Sequence, residues 1–374
     1  MALPCPKVDD IINIMENWAP SWLAEPWDNV GLLAGREDAI VEEVWVALEA
    51  DAALLEKAGS KPARMLLLHH PPIFEPLKNL RCGQPVQAAL LKAAAAGLNI
   101  FAAHTNLDAA WGGVSHALAE RLGLKNLQPL LPREGGHLLK LAVFVPVSQT
   151  QALSQALFAA GAGRLGHYQE CSFAGRGTGQ FRPGPEANPS LGRRGALSRV
   201  EETRLEVMLP QSALAAAVAA IHRVHPYEEP AYDIIPLLNR PAGVGWGQVG
   251  DLTEAEPGEV FLREAARKLA CPAPQYAGPL PERVSRVAVL GGSGGMGLKA
   301  AAAAGAQVFV TGESGHHSAS LASDLNICLF LAGHYASEAV MVEPWARRLG
   351  RELKRAGLSC RVRIPRVKSM WQWL

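Results

Sequence analysis

Apolar residues recur along this chain in two alternating rhythms. The segment "VDDIINIMENWA" has the three-to-four spacing of a helix with one buried face, and "VEEVWVALEAD" reads as a strand. "ARMLLLHH" is a short continuous apolar run that stops at two histidines and two prolines. "VQAALLKAAAAG" then predicts a helix closed by glycine, and "LNIFAAH" a further buried strand. Strand, helix, strand predicts a parallel sheet with right-handed crossovers. The same rhythm returns in "VSRVAVLGG", "GLKAAAAAG", "AQVFVTGE", "HHSASLASDLN", "ICLFLAGH" and the long helix around "EPWARRLGRELKRAG".

The middle of the chain has a different character. "LLKLAVFVPVSQTQALSQALFAAGAGRLGHY" predicts a strand and a helix, and the Gly/Pro-rich "GQFRPGPEANPSLGRRG" a loop. "VEETRLEVMLP" and "SALAAAVAAIHRVHPYEEPAYDIIPL" predict strand, helix, strand. That order suits a small α+β domain with an antiparallel, ferredoxin-like sheet against helices. The expected fold is α/β, with an N-terminal lobe over residues 1–134, an inserted α+β domain over 135–238, and a C-terminal lobe over 239–374.

Composition narrows the partners. The chain has 374 residues, enough for two or three domains, and 36 Lys plus Arg stand against 35 Asp plus Glu for a formal net charge of +1. No global field favours general nucleic-acid binding or an anionic membrane. Six scattered cysteines form no CxxC pair, and no run approaches the length of a spanning helix. A soluble, cytoplasmic protein with reduced thiols is expected. The tail "KSMWQWL" reads as a docking segment.

The chemistry gathers at the predicted strand ends. His69 and His70 close one strand, His104 and Asp108 another, Glu313, His316 and His317 a third, and His334 and Glu338 a fourth. Ligands of open α/β sheets bind beyond the carboxyl ends of the strands, so these groups share one candidate pocket. Imidazoles with carboxylates suit zinc, iron or manganese, and adjacent histidines favour two nearby ions over one. His334 and Glu338 lie one helical turn apart. A polar group left unpaired at a buried strand end costs about 1–3 kcal/mol, and a metal compensates several at once.

Other motifs carry less. Gly292, Gly294 and Gly297 have the G-x-G-x-x-G order of a dinucleotide turn, but no nicotinamide-site partner accompanies them; a tight turn able to touch phosphate is the expectation. "WDNVGLLAG" reads as a turn entering a strand, with Asp28 and Asn29 making local hydrogen bonds, and as a stretch that could line the pocket. His225, Glu228 and Glu229 of "HPYEEPAYDI" read as a structural turn, and "RRLGRELKRAG" as a solvated helix face.

"LLLHHPPIF", "FAAHTNLDAAWGGV", "VTGESGHH" and "LAGHYASE" resemble the motifs of the NGG1-interacting-factor-3-like proteins, a dinuclear-metal family often labelled GTP cyclohydrolase 1 type 2 homologues. The middle segment resembles the PII/CutA-like domain that longer bacterial members carry as an insertion. The resemblance implies two α/β lobes with two divalent ions between them, in a toroidal homohexamer. It places the ligands on His69, His70, Asp108, His334 and Glu338, with Glu338 bridging, and puts His104, Glu313 and His317 in orienting or acid/base roles. "ESGHH" departs from the aspartate and lysine-tyrosine of many members, which leaves His316 without a counterpart. The implied function is a metal-dependent hydrolase acting on a nucleotide-like substrate. The alternative is a metal-binding regulatory or storage protein whose inserted domain senses a ligand or partner.

Overall fold

The computed structural model describes residues 3–61, 64–133, 138–165, 168–239, 243–271 and 273–367; the tail "KSMWQWL" lies outside them. The chain divides into two compact units, Met1–Arg133 with Ala242–Leu374, and Glu134–Pro241.

In the larger unit, β1 (Gly31–Ala34), β2 (Glu43–Ala47), β3 (Arg64–Leu68) and β4 (Asn99–Ala102) form most of a first sheet, and β5 (Lys125–Pro132) leads away to a second. The smaller unit contributes β6 (Leu138–Pro146), β7 (Ser172–Phe181), β8 (Ser198–Pro210) and β9 (Tyr232–Pro236). The chain returns through β10 (Gly245–Pro257), β11 (Gln275–Ala277), β12 (Arg283–Ser293), β13 (Val308–Glu313) and β14 (Cys328–Leu331). It then adds β15 (Arg361–Arg363) to the first sheet. The five-stranded sheet runs β1-β4-β3-β2-β15 and the six-stranded one β11-β14-β13-β12-β10-β5.

Parallel pairing follows the continuous apolar runs. Strands β15, β2, β3 and β4 are mutually parallel, as are β12, β13 and β14. The edges differ: β1, β5, β10 and β11 pair antiparallel. Both faces of each parallel core are covered, which is why its strands are apolar at every position instead of at alternate ones. On the first sheet Val44, Val46, Met65, Leu67 and Phe101 pack into one cluster, while Trp45, Leu66, Leu68 and Ile100 pack into another on the opposite face. On the second sheet Val287, Val289, Val308 and Val310 face one way, and Ala288, Leu290 and Phe309 the other.

The smaller unit runs strand, helix (Thr150–Ala159), strand, strand, helix (Leu214–Val224), strand, with all ladders antiparallel in the order β7-β8-β6-β9. That is the ferredoxin-like βαββαβ arrangement. Its own core joins Leu141, Val143, Leu205 and Val207 from the sheet to Leu153, Leu157 and Ile221 from the helices.

Phe101 sits in β4, 1 % exposed, directly before the strand end that carries His104. Phe101→Ala is expected to lower unfolding stability by about 3–5 kcal/mol in urea titrations of the full chain, because the cavity it leaves can collapse only partly.

Candidate metal centre

The polar strand ends converge. His69 and His70 follow β3, and Asp108 lies on the short helix Thr105–Ala109 that His104 caps after β4. Glu313 ends β13, and the helix His334–Glu338 follows β14. Two sheets thus contribute to one cluster within the larger unit. Three groups have ligating atoms all within 4.8 Å of one another: His69, His70 and His104; His70, His334 and Glu338; His69, Asp108 and Glu338.

Glu338 is 3 % exposed and lies among three imidazoles. Its Oε1 is 3.2 Å from His334 Nε2 and 3.8 Å from His69 Nε2, and its Oε2 is 3.0 Å from His70 Nε2. His69 Nε2 is also 3.7 Å from Asp108 Oδ1. Proximity has not become hydrogen bonding: among the described residues, His69 Nε2, Asp108 Oδ1 and Glu338 Oε2 are buried without a hydrogen-bond partner. Three converging orphaned ligand atoms, two of them on acids, fit a divalent cation.

Three of the four opposite nitrogens have a hydrogen-bond partner. His69 Nδ1 faces the Ala103 carbonyl at 2.9 Å, His104 Nδ1 faces Asp28 Oδ1 at 2.9 Å, and His334 Nδ1 faces Glu313 Oε1 at 3.0 Å. His70 Nδ1 lies 3.6 Å from Glu49. An acceptor on Nδ1 fixes the proton there and leaves Nε2 as the lone-pair donor, the arrangement seen behind metal-bound histidines.

Asp28 and Glu49 are the carboxylates beside the cluster that the sequence pattern did not place among its candidate ligands. Asp28 accepts from the Thr105 backbone N–H at 3.0 Å and from the Thr105 hydroxyl besides holding His104. It also makes the local hydrogen bond expected of "WDNVGLLAG", accepting from Asn29 N–H at 2.8 Å, and adds to it these contacts with β4's exit. Burial alone would raise its pKa, but His104 and Thr105 hold it at about 2.

Glu313 stands behind His334 and is exposed, an orienting position. His316 and His317 open the helix His316–Asp324, exposed, and join none of the three groups. His225 is used structurally: Nε2 faces the Phe144 carbonyl at 2.9 Å, and Nδ1 accepts from Tyr227 N–H at 3.1 Å.

The glycine turn donates several of its amides within the protein. Gly291 N–H donates to Ser115 Oγ, Gly292 N–H to Ser337 Oγ, Gly294 N–H to Thr311 Oγ1 and Gly297 N–H to the Gly294 carbonyl. Amides already donated inside the protein are not free to cradle a dinucleotide pyrophosphate, although Gly291, Ser293 and Met296 of the same turn line the cleft beside the cluster. What the glycines supply is closeness. Gly292 has φ +65°, and a Cβ there would collide with the Glu338 carboxylate.

A cleft of about 440 Å³ opens on this cluster, lined by His104, Asp108, His334 and Glu338 together with Trp27 and Trp246. Fold and site together define an α/β protein with a His/Asp/Glu cluster able to hold metal beside a substrate-sized cleft. The chain belongs to the Duf34/NIF3 (NGG1p interacting factor 3) family, which it matches over residues 6–369. It is 38 % identical over 307 residues to a "GTP cyclohydrolase 1 type 2 homolog" of Halalkalibacterium halodurans, covering 82 % of each chain. It is 37 % identical over 363 residues to the protein of the same name in Mycobacterium tuberculosis, covering 96 % of this chain and 94 % of that one. Among solved structures, a Bacillus cereus protein related to NIF3 superposes with a TM-score of 0.79 at 33 % identity, covering 99 % of this chain and 100 % of that one. Staphylococcus aureus protein SA1388 gives 0.75 at 27 %, covering all of both chains.

The cluster's electrostatics predict how it takes up metal. Against burial, which works the other way, Glu338 and Glu49 raise His70 to about 10, while Glu338, opposed by burial, and Glu313 raise His334 to about 9. Burial raises Asp108 to about 6, whereas the imidazoles hold Glu338 well below the carboxylate range although its burial acts upward. Raised histidines stabilise the metal-free fold fully below about pH 6.5, and that contribution is lost as pH rises through 9 to 10. A metal must displace those protons. Calorimetric titration with zinc at pH 7.5, in two buffers of different protonation enthalpy, is expected to show about two protons released per saturated chain and affinity rising with pH.

Proposed function

We propose that this protein is a dinuclear metal-dependent hydrolase acting on a nucleotide-like substrate. One observation carries the reading. The group His70, His334, Glu338 and the group His69, Asp108, Glu338 share only Glu338. Two divalent ions would therefore fit, one held by His70, His334 and Glu338 and the other by His69, Asp108 and Glu338. Zinc, iron and manganese all suit these donors. Divalent ions bound there supply Lewis acidity and bring the pKa of water toward neutrality.

The chain's own residues do the rest. Asp28 holds the Nδ1 proton of His104, so Nε2 faces the cluster as a base for moving a proton during attack. Thr105, donating twice to Asp28, keeps that carboxylate from rotating. Trp27 stands 6.4 Å from His104, ring to ring, at the mouth of the cleft and offers a flat apolar wall to a planar base. The name shared by the relatives, GTP cyclohydrolase 1 type 2 homolog, points to the same substrate class. A cleft that reaches the cluster supports turnover over a sealed metal store. In the same reading the Glu134–Pro241 unit, with its βαββαβ order, is an inserted domain of the PII/CutA kind.

Chelation, reloading with zinc, manganese or iron(II), and elemental analysis test the centre: two ions per chain are expected, falling below one in Glu338→Gln. Less than one ion per reloaded chain would overturn the reading. Among nucleotide triphosphates followed for ring opening and phosphate release, His104→Ala is expected to retain both ions while losing at least about 100-fold in kcat. Asp28→Asn is expected to lose about 10–100-fold through misorientation of the imidazole.

A further inference from the structure

A second cleft, of about 380 Å³, lies within the Glu134–Pro241 unit, far along the chain from the metal-binding residues. Its apolar walls include Phe144, Phe181, Tyr227 and Leu191, with Phe181 and Tyr227 in ring contact at 5.6 Å. Three carboxylates line it, Glu202, Glu228 and Glu229, and no Lys, Arg or His does. Among the described residues these carboxylates form no group close enough to hold one metal ion.

Glu202 is the unusual member. It projects from β8 and is only 8 % exposed. Its Oε1 accepts from the Tyr227 hydroxyl at 2.8 Å, while Oε2 takes no hydrogen bond and no cation pairs with the group among the described residues. Burial and the Glu202 charge keep the Tyr227 hydroxyl protonated well above its usual range, so it remains a donor. The surroundings are shaped to keep this carboxylate in place. A Cβ at Gly179, on the adjoining strand β7, would collide with it. The loop between β7 and β8 is tied across the cleft where Asn188 N–H donates to Glu228 at 2.8 Å. A largely buried carboxylate with no cation beside it leaves its charge to be met from the cleft.

We propose that this cleft binds a small organic cation, an ammonium carried on an aryl or alkyl body, with Glu202 receiving the charge and Phe181 and Tyr227 the apolar part. Glu228 and Glu229, exposed at the cleft, add attraction for a cation on approach. Aromatic faces contribute further through cation–π contact. The site is independent of the metal centre.

Calorimetry on the full-length protein, metal-loaded and metal-free, uses 3-phenylpropylammonium as probe, with 3-phenylpropanol and 3-phenylpropanoate as neutral and anionic counterparts. The ammonium is expected to bind at least about tenfold more tightly than the alcohol, and the anion not measurably. Glu202→Gln, which preserves shape and the Tyr227 hydrogen bond, is expected to remove that preference without moving the melting temperature. Phe181→Ala is expected to weaken ammonium and alcohol alike. Equal binding of ammonium and alcohol by the unaltered protein, no saturation with the ammonium up to about 10 mM, or an unchanged preference in a folded Glu202→Gln variant overturns the proposal. The first two outcomes need no variant, so the test decides even where a substitution unfolds the domain.

Discussion

The carboxylate of Glu338, buried among the Nε2 atoms of His69, His70 and His334, is the constraint around which the larger unit is arranged. A charge at that depth needs compensation, and here it comes from both sheets: two imidazoles follow β3, and the third precedes Glu338 by one helical turn after β14. The backbone yields to it as well. Gly292 bends through a left-handed conformation beside the carboxylate, where any side chain would occupy its place. The glycines of this turn, which on sequence resemble a nucleotide fingerprint, make room for the Glu338 carboxylate. Their amides are consumed by Ser115, Ser337 and Thr311 in making that close approach.

Much of this was legible in the sequence because parallel strands buried on both faces leave an unmistakable trace. β3 and β4 are buried at every residue, and "MLLL" and "NIFA" announce it without periodicity. The positions where such runs stop are where a parallel sheet exposes its functional edge, so His69, His70, His104, Asp108, His334 and Glu338 could be grouped before any coordinates. β5, β7 and β10 were not legible. β5 carries two prolines and polar residues, β7 has glycine at 175, 177 and 179, and β10 mixes Gly, Gln and acids. Their strand character comes from antiparallel partners, the next strand β8 for β7 and strands far along the chain for β5 and β10, as in Gln248 opposite Val289 and Pro129.

The carboxylates that orient the histidines were hidden for a related reason. Asp28 and His104 are 76 residues apart, and Asp28 sits in a segment whose composition predicts only a turn. Nothing local distinguishes an aspartate that caps its own loop from one that reaches a distant imidazole. Glu313 was visible because it ends a predicted strand, but its role became clear only through its 3.0 Å approach to His334 Nδ1.

The second sphere bears on what the cluster is for. A purely structural metal needs its ligands held, and backbone contacts suffice for that, as the Ala103 carbonyl does for His69. His104 is held by a carboxylate, as His334 is by Glu313, but one whose other oxygen is itself fixed by Thr105, and it stands where the cleft meets the cluster. A carboxylate on Nδ1 fixes the proton there and aims Nε2 toward the cluster. Of the clustered histidines, His104 is the one that pairs with Asp28 and takes no part in the two Glu338-centred groups, although it joins His69 and His70 in the third.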